Sequence, residues 1–186
     1  MNRSHENRVT DAQGVSIGIV SPDGRQGMIE HARQFAEADI PFIFDPGQGM
    51  PLFDGDDLLE FVEQASWLAF NDYEVRLMEE RTGLGPDQLA QRVKAVVVTR
   101  GGEGSHIYTK DRCFEIPTLP AAEVVDPTGC GDAYRAGLLY GLMNKLNWED
   151  TGRLAAILGA IKIASLGTQN HSFTAADIEQ EFERSF

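Results

Sequence analysis

Cysteine is scarce in this chain. Cys113 and Cys130 are the only two among 186 residues, with no CxxC and no metal-type spacing, which argues against a disulfide framework and a zinc site. Positive charge is also short. Sixteen Lys and Arg against 29 Asp and Glu leave a formal net charge of −13, without the basic footprint that a nucleic-acid backbone requires. A nucleotide ligand remains compatible with this acidity, because backbone N–H groups and a divalent cation can hold a phosphate with few basic side chains. No apolar run reaches the roughly 18 residues of a membrane span. The polar start from Met1 to Arg8 has no signal-peptide core, so the expected compartment is the cytoplasm, without a membrane partner.

Several signatures of chemistry are missing as well. There is no GxSxG serine elbow, no Gly-Lys-Ser/Thr phosphate loop and no HxxxH pair. His5, His31, His106 and His171 are scattered, and surface or satisfied polar roles are expected for each. Asp54, Asp56 and Asp57 are spaced a little like a cation loop, but without the rest of an EF-hand pattern they read as a solvated loop.

What is present is an ordinary globular composition, 42% hydrophobic and 24% charged, in a chain long enough for one domain with a sizeable core. Short β-rich runs alternate with helical stretches, the pattern of an α/β fold with a mostly parallel sheet. Strands are predicted at 15–20, 41–44, 67–70 and 95–98, and a hairpin from 105–108 and 112–116 turned at Lys110-Asp111. Helices are predicted at 27–38, 57–64, 73–81, 131–144, 148–166 and 175–184, the last capped by Thr174.

In open parallel sheets, ligands collect beyond the carboxyl ends of strands, and four such places here are polar or glycine-rich. They are Asp45-Pro46-Gly47, Asn71 to Glu74, Thr99 to Gly104, and Asp126-Pro127-Thr128-Gly129-Cys130-Gly131-Asp132. The last is the most informative. Gly129, Cys130 and Gly131 let the backbone approach a ligand with N–H groups bare, at the positive end of an apolar helix. Asp132 would repel a bound phosphate unless it serves to accept a proton from an attacking hydroxyl. The bland alternative is a tight turn followed by a first-turn acid that complements the helix dipole. Cys130 is read as a small loop residue with an incidental thiol. Asn71 and Glu74 suit either a hydrated magnesium with its phosphates or a capping box that needs no ligand. The TxGxxG run of Thr99, Gly101 and Gly104 leaves room for a nucleotide or simply turns one strand into the next; the hairpin after it excludes a dinucleotide fingerprint.

NxxE, then TxGxxG, then DPTGCGD opening a helix, in that order, resembles the carboxyl-terminal part of the ribokinase-like, PfkB-type family of carbohydrate and nucleoside kinases. The wording of Phe44 to Gly49 and of Gly129 to Gly137 looks closest to bacterial adenosine kinase-like members. The resemblance covers nearly the whole chain. It implies a three-layer α/β/α fold and Mg²⁺-assisted transfer of the ATP γ-phosphoryl group to a hydroxyl of a nucleoside or sugar. By position it makes Asp132 the base and the amides of Gly129, Cys130 and Gly131 the anion hole. Asn71 and Glu74 would organise magnesium, mostly through water. Thr99, Gly101 and Gly104 would line the ATP site, with Gly167 and Asn170 closing around the adenine. In many relatives a monovalent cation such as K⁺ sits near the equivalents of Asp126 and Thr128.

Family members are much longer, and their first strands, substrate-contacting glycine pair and β-sheet lid have no match here. A nucleotide-binding module or inactive truncated remnant is therefore the alternative to a kinase. Either the missing half or a second copy of the chain would be a partner. An exposed sheet edge and apolar surface lead to the expectation of an oligomeric or aggregation-prone chain.

Overall fold

The computed structural model describes residues 7–121 and 123–186. His5 and the start of the polar leader lie outside them. The chain forms two compact units. One holds the chain to Thr99 with the hairpin tip Tyr108–Cys113; the other holds Arg100–Ile107 and Phe114–Phe186.

The first unit alternates strand and helix: β1 (Gly18–Val20), α1 (Arg25–Glu37), β2 (Phe42–Phe44), α2 (Gly55–Gln64), β3 (Trp67–Asn71), α3 (Asp72–Thr82), the short α4 (Pro86–Leu89) and β4 (Ala95–Thr99). All four strands run parallel in chain order. Connections through amphipathic helices make that order the natural one, because parallel neighbours require crossovers. Phe42, Ile43 and Phe44 are buried on both faces, as are Leu68, Ala69 and Phe70. These continuous apolar runs are what a parallel sheet with two covered faces demands. Phe61 from α2 stacks on Phe44 at 4.2 Å between centroids and meets Phe53 edge-on at 5.0 Å. The β3–β4 register places Asn71 directly beside Thr99, at the carboxyl ends of both strands.

The second unit contains the hairpin strands β5 (Ser105–Tyr108) and β6 (Cys113–Ile116), which continue into the first unit at their tip, and the helices α5 (Cys130–Met143), α6 (Trp148–Ile163) and α7 (Ala175–Ser185). Helices α5 and α6 pack with almost no side chain between them. A Cβ on Gly137 would lie 2.5 Å from Ala155 Cα, and one on Gly141 would lie 2.6 Å from Thr151 Cγ2. Two glycines one turn apart therefore set the helix spacing. Leu138, Ala155, Ile157, Ile107 and Ile116 fill the rest of this core.

Several element boundaries differ from those expected. β1 pairs only from Gly18, where the ladder with Phe42 begins, rather than from Val15. α2 starts at Gly55, because the Asp54 carboxylate caps the Asp57 amide at 3.0 Å; Asp54, Asp56 and Asp57 are a helix start instead of a loop. A 3-10 turn over Gly47–Leu52 and helix α4 both lie where no element was expected, each too short for a periodic signal. The hairpin resumes at Cys113 rather than Arg112, because Arg112 belongs to the turn, where its carbonyl accepts the Thr109 amide at 2.9 Å. The terminal helix, with its Thr174 cap on the Asp177 amide, is as expected.

Candidate functional site

The α6 helix ends three residues before the expected Leu166, and the cause is the segment that precedes α5. The Ile163 carbonyl accepts the amides of both Val125 and Asp126, at 2.9 and 3.1 Å. The end of α6 is thereby tied to the DPTGCGD segment instead of continuing as helix.

Asp126 is the knot of this junction. Its amide bonds Ile163, and its carbonyl accepts Lys162 Nζ at 2.8 Å. Its Oδ1 accepts the Thr128 amide and its Oδ2 the Gly167 amide, both at 2.9 Å. The Thr128 amide and hydroxyl, followed by the Gly167 amide, hold the Asp126 carboxyl down at about 2, from an ordinary 3.8. Gly167 reaches Asp126 from a left-handed conformation, φ +79°. Within this unit the structure therefore brings together Asp126, Thr128, Gly129, Cys130, Gly131, Asp132 and Gly167, residues that the sequence holds in two separate segments.

Gly129 turns the chain into α5 with φ +85°, and any Cβ there would stand 3.3 Å from Thr168 backbone atoms. Glycine is required at this position both for its dihedral and for its clearance. The same turn modifies the expected cradle. The Cys130 amide donates to the Pro127 carbonyl at 3.1 Å, so it is not bare. The amides of Gly129, Gly131 and Asp132 have no acceptor among the described residues and are the donors the helix start offers. Burial pushes the Cys130 thiol up, consistent with a small neutral residue rather than a nucleophile. Asp132 is exposed in the first turn of α5, where the helix dipole favours its charge.

Asn170 lies in the same unit, but its side-chain amide closes the local loop by donating to the Leu166 carbonyl at 2.9 Å. His171 departs from the expected satisfied role: its Nδ1 is buried without a partner among the described residues, and the ring stacks on Phe173 at 6.0 Å. Gly101 and Gly104 take positive φ around a short 3-10 turn. A Cβ on Gly104 would fall 2.1 Å from the Ile116 carbonyl oxygen, so this glycine has a structural reason to be there. Gly101 faces open space.

In the first unit, Asn71 and Glu74 form a complete capping box. Asn71 Oδ1 accepts the Glu74 amide at 2.8 Å, while Glu74 Oε2 accepts the Asn71 amide at 2.8 Å and Oε1 accepts Asn71 Nδ2 at 2.9 Å. An oxygen-donor carboxylate beside a side-chain amide is chemistry that fits an indirect magnesium role through water. Thr99 Oγ1 donates to the Phe70 carbonyl at 3.3 Å. Among the described residues, no three His, Cys, Asp or Glu side chains cluster as a direct metal site, and no helix is long and apolar enough to cross a membrane.

The residue that sequence reasoning missed is Lys162. It is the lone charged group in the apolar run Leu154 to Leu166, and that isolation was the available signal. Its side chain is fully buried, with Nζ on two backbone carbonyls, Asp126 at 2.8 Å and Ser165 at 3.0 Å.

A parallel α/β sheet whose strand ends carry polar residues, together with a glycine turn leaving bare amides and an acid at a helix start, defines a class of phosphate-handling α/β proteins. The chain belongs to the pfkB family of carbohydrate kinases, whose model matches residues 4–175. It is 36% identical to a nucleoside kinase of Methanocaldococcus jannaschii over 76% of this chain and 47% of that protein. A nucleoside kinase of Methanothermobacter thermautotrophicus is 33% identical over 88% of this chain and 52% of its own length. The structure of Burkholderia thailandensis nucleoside kinase in complex with inosine superposes with a TM-score of 0.96 at 47% identity, covering 98% of this chain and 61% of that one. A ribokinase of Thermotoga maritima shares the fold at 22% identity with a TM-score of 0.77, over 97% of this chain and 61% of its own. The fold is the three-layer ribokinase-like α/β fold expected from the motifs. The chain spans about half the length of the curated nucleoside kinases it matches.

Proposed function

We propose that this chain carries the nucleotide-binding and catalytic part of an ATP-dependent nucleoside kinase. The observation that carries the reading is the start of α5. Its free amides lie at Gly129, Gly131 and Asp132, Asp126 braces the turn before them, and Asp132 is the acid of the same first helical turn. In the proposed reaction the Asp132 carboxylate accepts the proton of the nucleoside hydroxyl as its oxygen bonds the γ-phosphorus. The bond from that phosphorus to the β,γ-bridging oxygen breaks, and ADP leaves. Bare amides stabilise charge on the transferring group. Magnesium, supplied with ATP, would be held through water by Glu74, with Asn71 fixing that carboxylate. Thr99, Gly101 and Gly104 belong to the nucleotide side, as do Gly167 and Asn170.

A nucleoside rather than a sugar is the proposed acceptor. This rests on the Burkholderia thailandensis structures with inosine and with ADP-inosine, at 47% identity. The second reading is that these residues hold nucleotide without turning it over, and it is favoured by the coverage of only about half of each curated relative.

The test is ADP release from Mg·ATP with inosine, adenosine and a panel of pentoses and hexoses, with D132N as control. Nucleoside-dependent turnover that D132N abolishes supports the kinase. Mg·ATP binding without turnover for any acceptor supports the second reading, and absence of nucleotide binding overturns both.

A further inference from the structure

A buried lysine needs compensation, and Lys162 receives it from an unusual set of partners. The side chain is 0% exposed, yet Nζ donates to carbonyl oxygens of two segments, Asp126 at 2.8 Å before α5 and Ser165 at 3.0 Å after α6. Backbone carbonyls around a cation are the chemistry by which proteins strip and hold a monovalent ion. Here the cation is covalently part of the chain. Every polar atom of Asp126 is committed at the same junction: amide to Ile163, carbonyl to Lys162, and the two carboxylate oxygens to Thr128 and Gly167.

This donor set does not fit the exchangeable K⁺ that the family pattern implies near Asp126 and Thr128. An ion on the Asp126 or Ser165 carbonyl would share an oxygen with the ammonium of a fully buried side chain. Repulsion between two unit charges that close is strong, and less screened there than in bulk water. The Asp126 carboxylate already accepts the amides of Thr128 and Gly167 and the Thr128 hydroxyl, so most of its roughly four acceptor sites are taken.

We propose that the Lys162 ammonium is the resident cation of this junction, holding the Asp126–Gly129 turn and the Ser165–Gly167 loop in place of an exchangeable monovalent ion, so that nucleotide binding at the start of α5 is independent of K⁺. Lys162 is a positioning residue. It acts through Asp126, whose carboxylate in turn fixes the amides of Thr128, which precedes Gly129, and of Gly167. The nucleotide part of this inference rests on the function proposed above; the cation part rests on the junction alone.

Two readouts separate those parts. The first is the thermal midpoint of the wild-type chain and of K162M in KCl, NH₄Cl and tetramethylammonium chloride at equal ionic strength. Wild type should melt alike in all three. K162M, which takes the ammonium away from both carbonyls, should melt lower and recover part of the loss in K⁺ or NH₄⁺ only, a selectivity that generic loss of packing would not produce. The second is Mg·ATP affinity in the same salts. Wild type should vary by less than about twofold, and K162M should bind roughly tenfold more weakly with partial rescue by K⁺.

A wild-type midpoint or affinity that rises several-fold or by several degrees with K⁺ alone would overturn the inference, whatever the variant does. Should K162M fail to fold, the wild-type comparison still decides, and K162R, which keeps the charge, should fold and remain indifferent to K⁺. Salt-indifferent melting in a chain that binds no nucleotide would sink the proposed function and leave the resident cation standing. Nucleoside-dependent turnover that K⁺ strongly stimulates would do the reverse.

Discussion

At the scale of single residues, the site depends on a few polar groups whose partners are unusually complete. Asp132 is exposed and contributes to no core, so D132N should cut turnover by roughly a hundred- to ten-thousandfold while leaving Mg·ATP affinity and the thermal midpoint near wild type. Steady-state ADP release alongside calorimetric titration would check this, and loss of affinity equal to loss of turnover would refute the base assignment. Tyr134 offers a pH test. Its hydroxyl meets Ser105 Oγ at 2.6 Å inside the second unit, and burial pushes its phenol up to about 12 from 10.0. The unfolded phenol loses its proton first as pH rises. The stabilisation from keeping Tyr134 neutral is thus full below 10.0 and is lost as pH climbs through about 12. An alkaline absorbance titration should show a late phenolate step that Y134F removes.

At the scale of elements, helix starts and helix contacts carry the argument. The Asn71–Glu74 box is both a cap and, under the proposed function, a magnesium-water holder, and these roles separate by mutation. N71A should cost about 0.5–2 kcal/mol of stability, whereas N71S, which keeps a capping acceptor without setting a second carboxylate against Glu74, should restore most of it. If N71S also restores Mg·ATP affinity in full, the Asn71 amide has no role beyond the cap. The α5–α6 contact makes a second prediction. G137A drives a methyl group into the Ala155 backbone and should destabilise by about 1–3 kcal/mol, seen as a lowered denaturation midpoint without a change in the slope. Stability equal to wild type would mean that the helices can separate at little cost.

At the scale of the whole molecule, the notable feature is apolar surface left in water. Val124, Tyr140, Met143 and Leu166 in the second unit are all exposed by more than half. Among the described residues, strand β1, at the end of the strand order, has a ladder partner on one side only. Both features favour association. Light scattering should find oligomers or aggregates of this chain, and a clean monomer at high concentration would count against that expectation.

Much of this molecule was legible from residue order, because the features concerned are local. Alternating apolar runs and capping residues determine strand and helix identity within a few positions, as at Thr174 and at Trp67 to Phe70, and the DPTGCGD wording pointed to its family directly. Boundaries failed where short-range hydrogen bonds overrode periodicity, as at Asp54 and in the Gly47–Leu52 turn. The larger misses were of another kind. That Asn71 stands beside Thr99 follows from a sheet register, and the Cys130 amide is spent because a left-handed Gly129 folds the Pro127 carbonyl back over it. The bonds that define Asp126 reach residues 36 and 41 positions away. A lysine in an apolar helix is a surface residue or a buried cation depending solely on which carbonyls the fold brings to it. For Lys162 only the tertiary structure decided, since pairing across such distances depends on chain packing rather than on the residues that flank it.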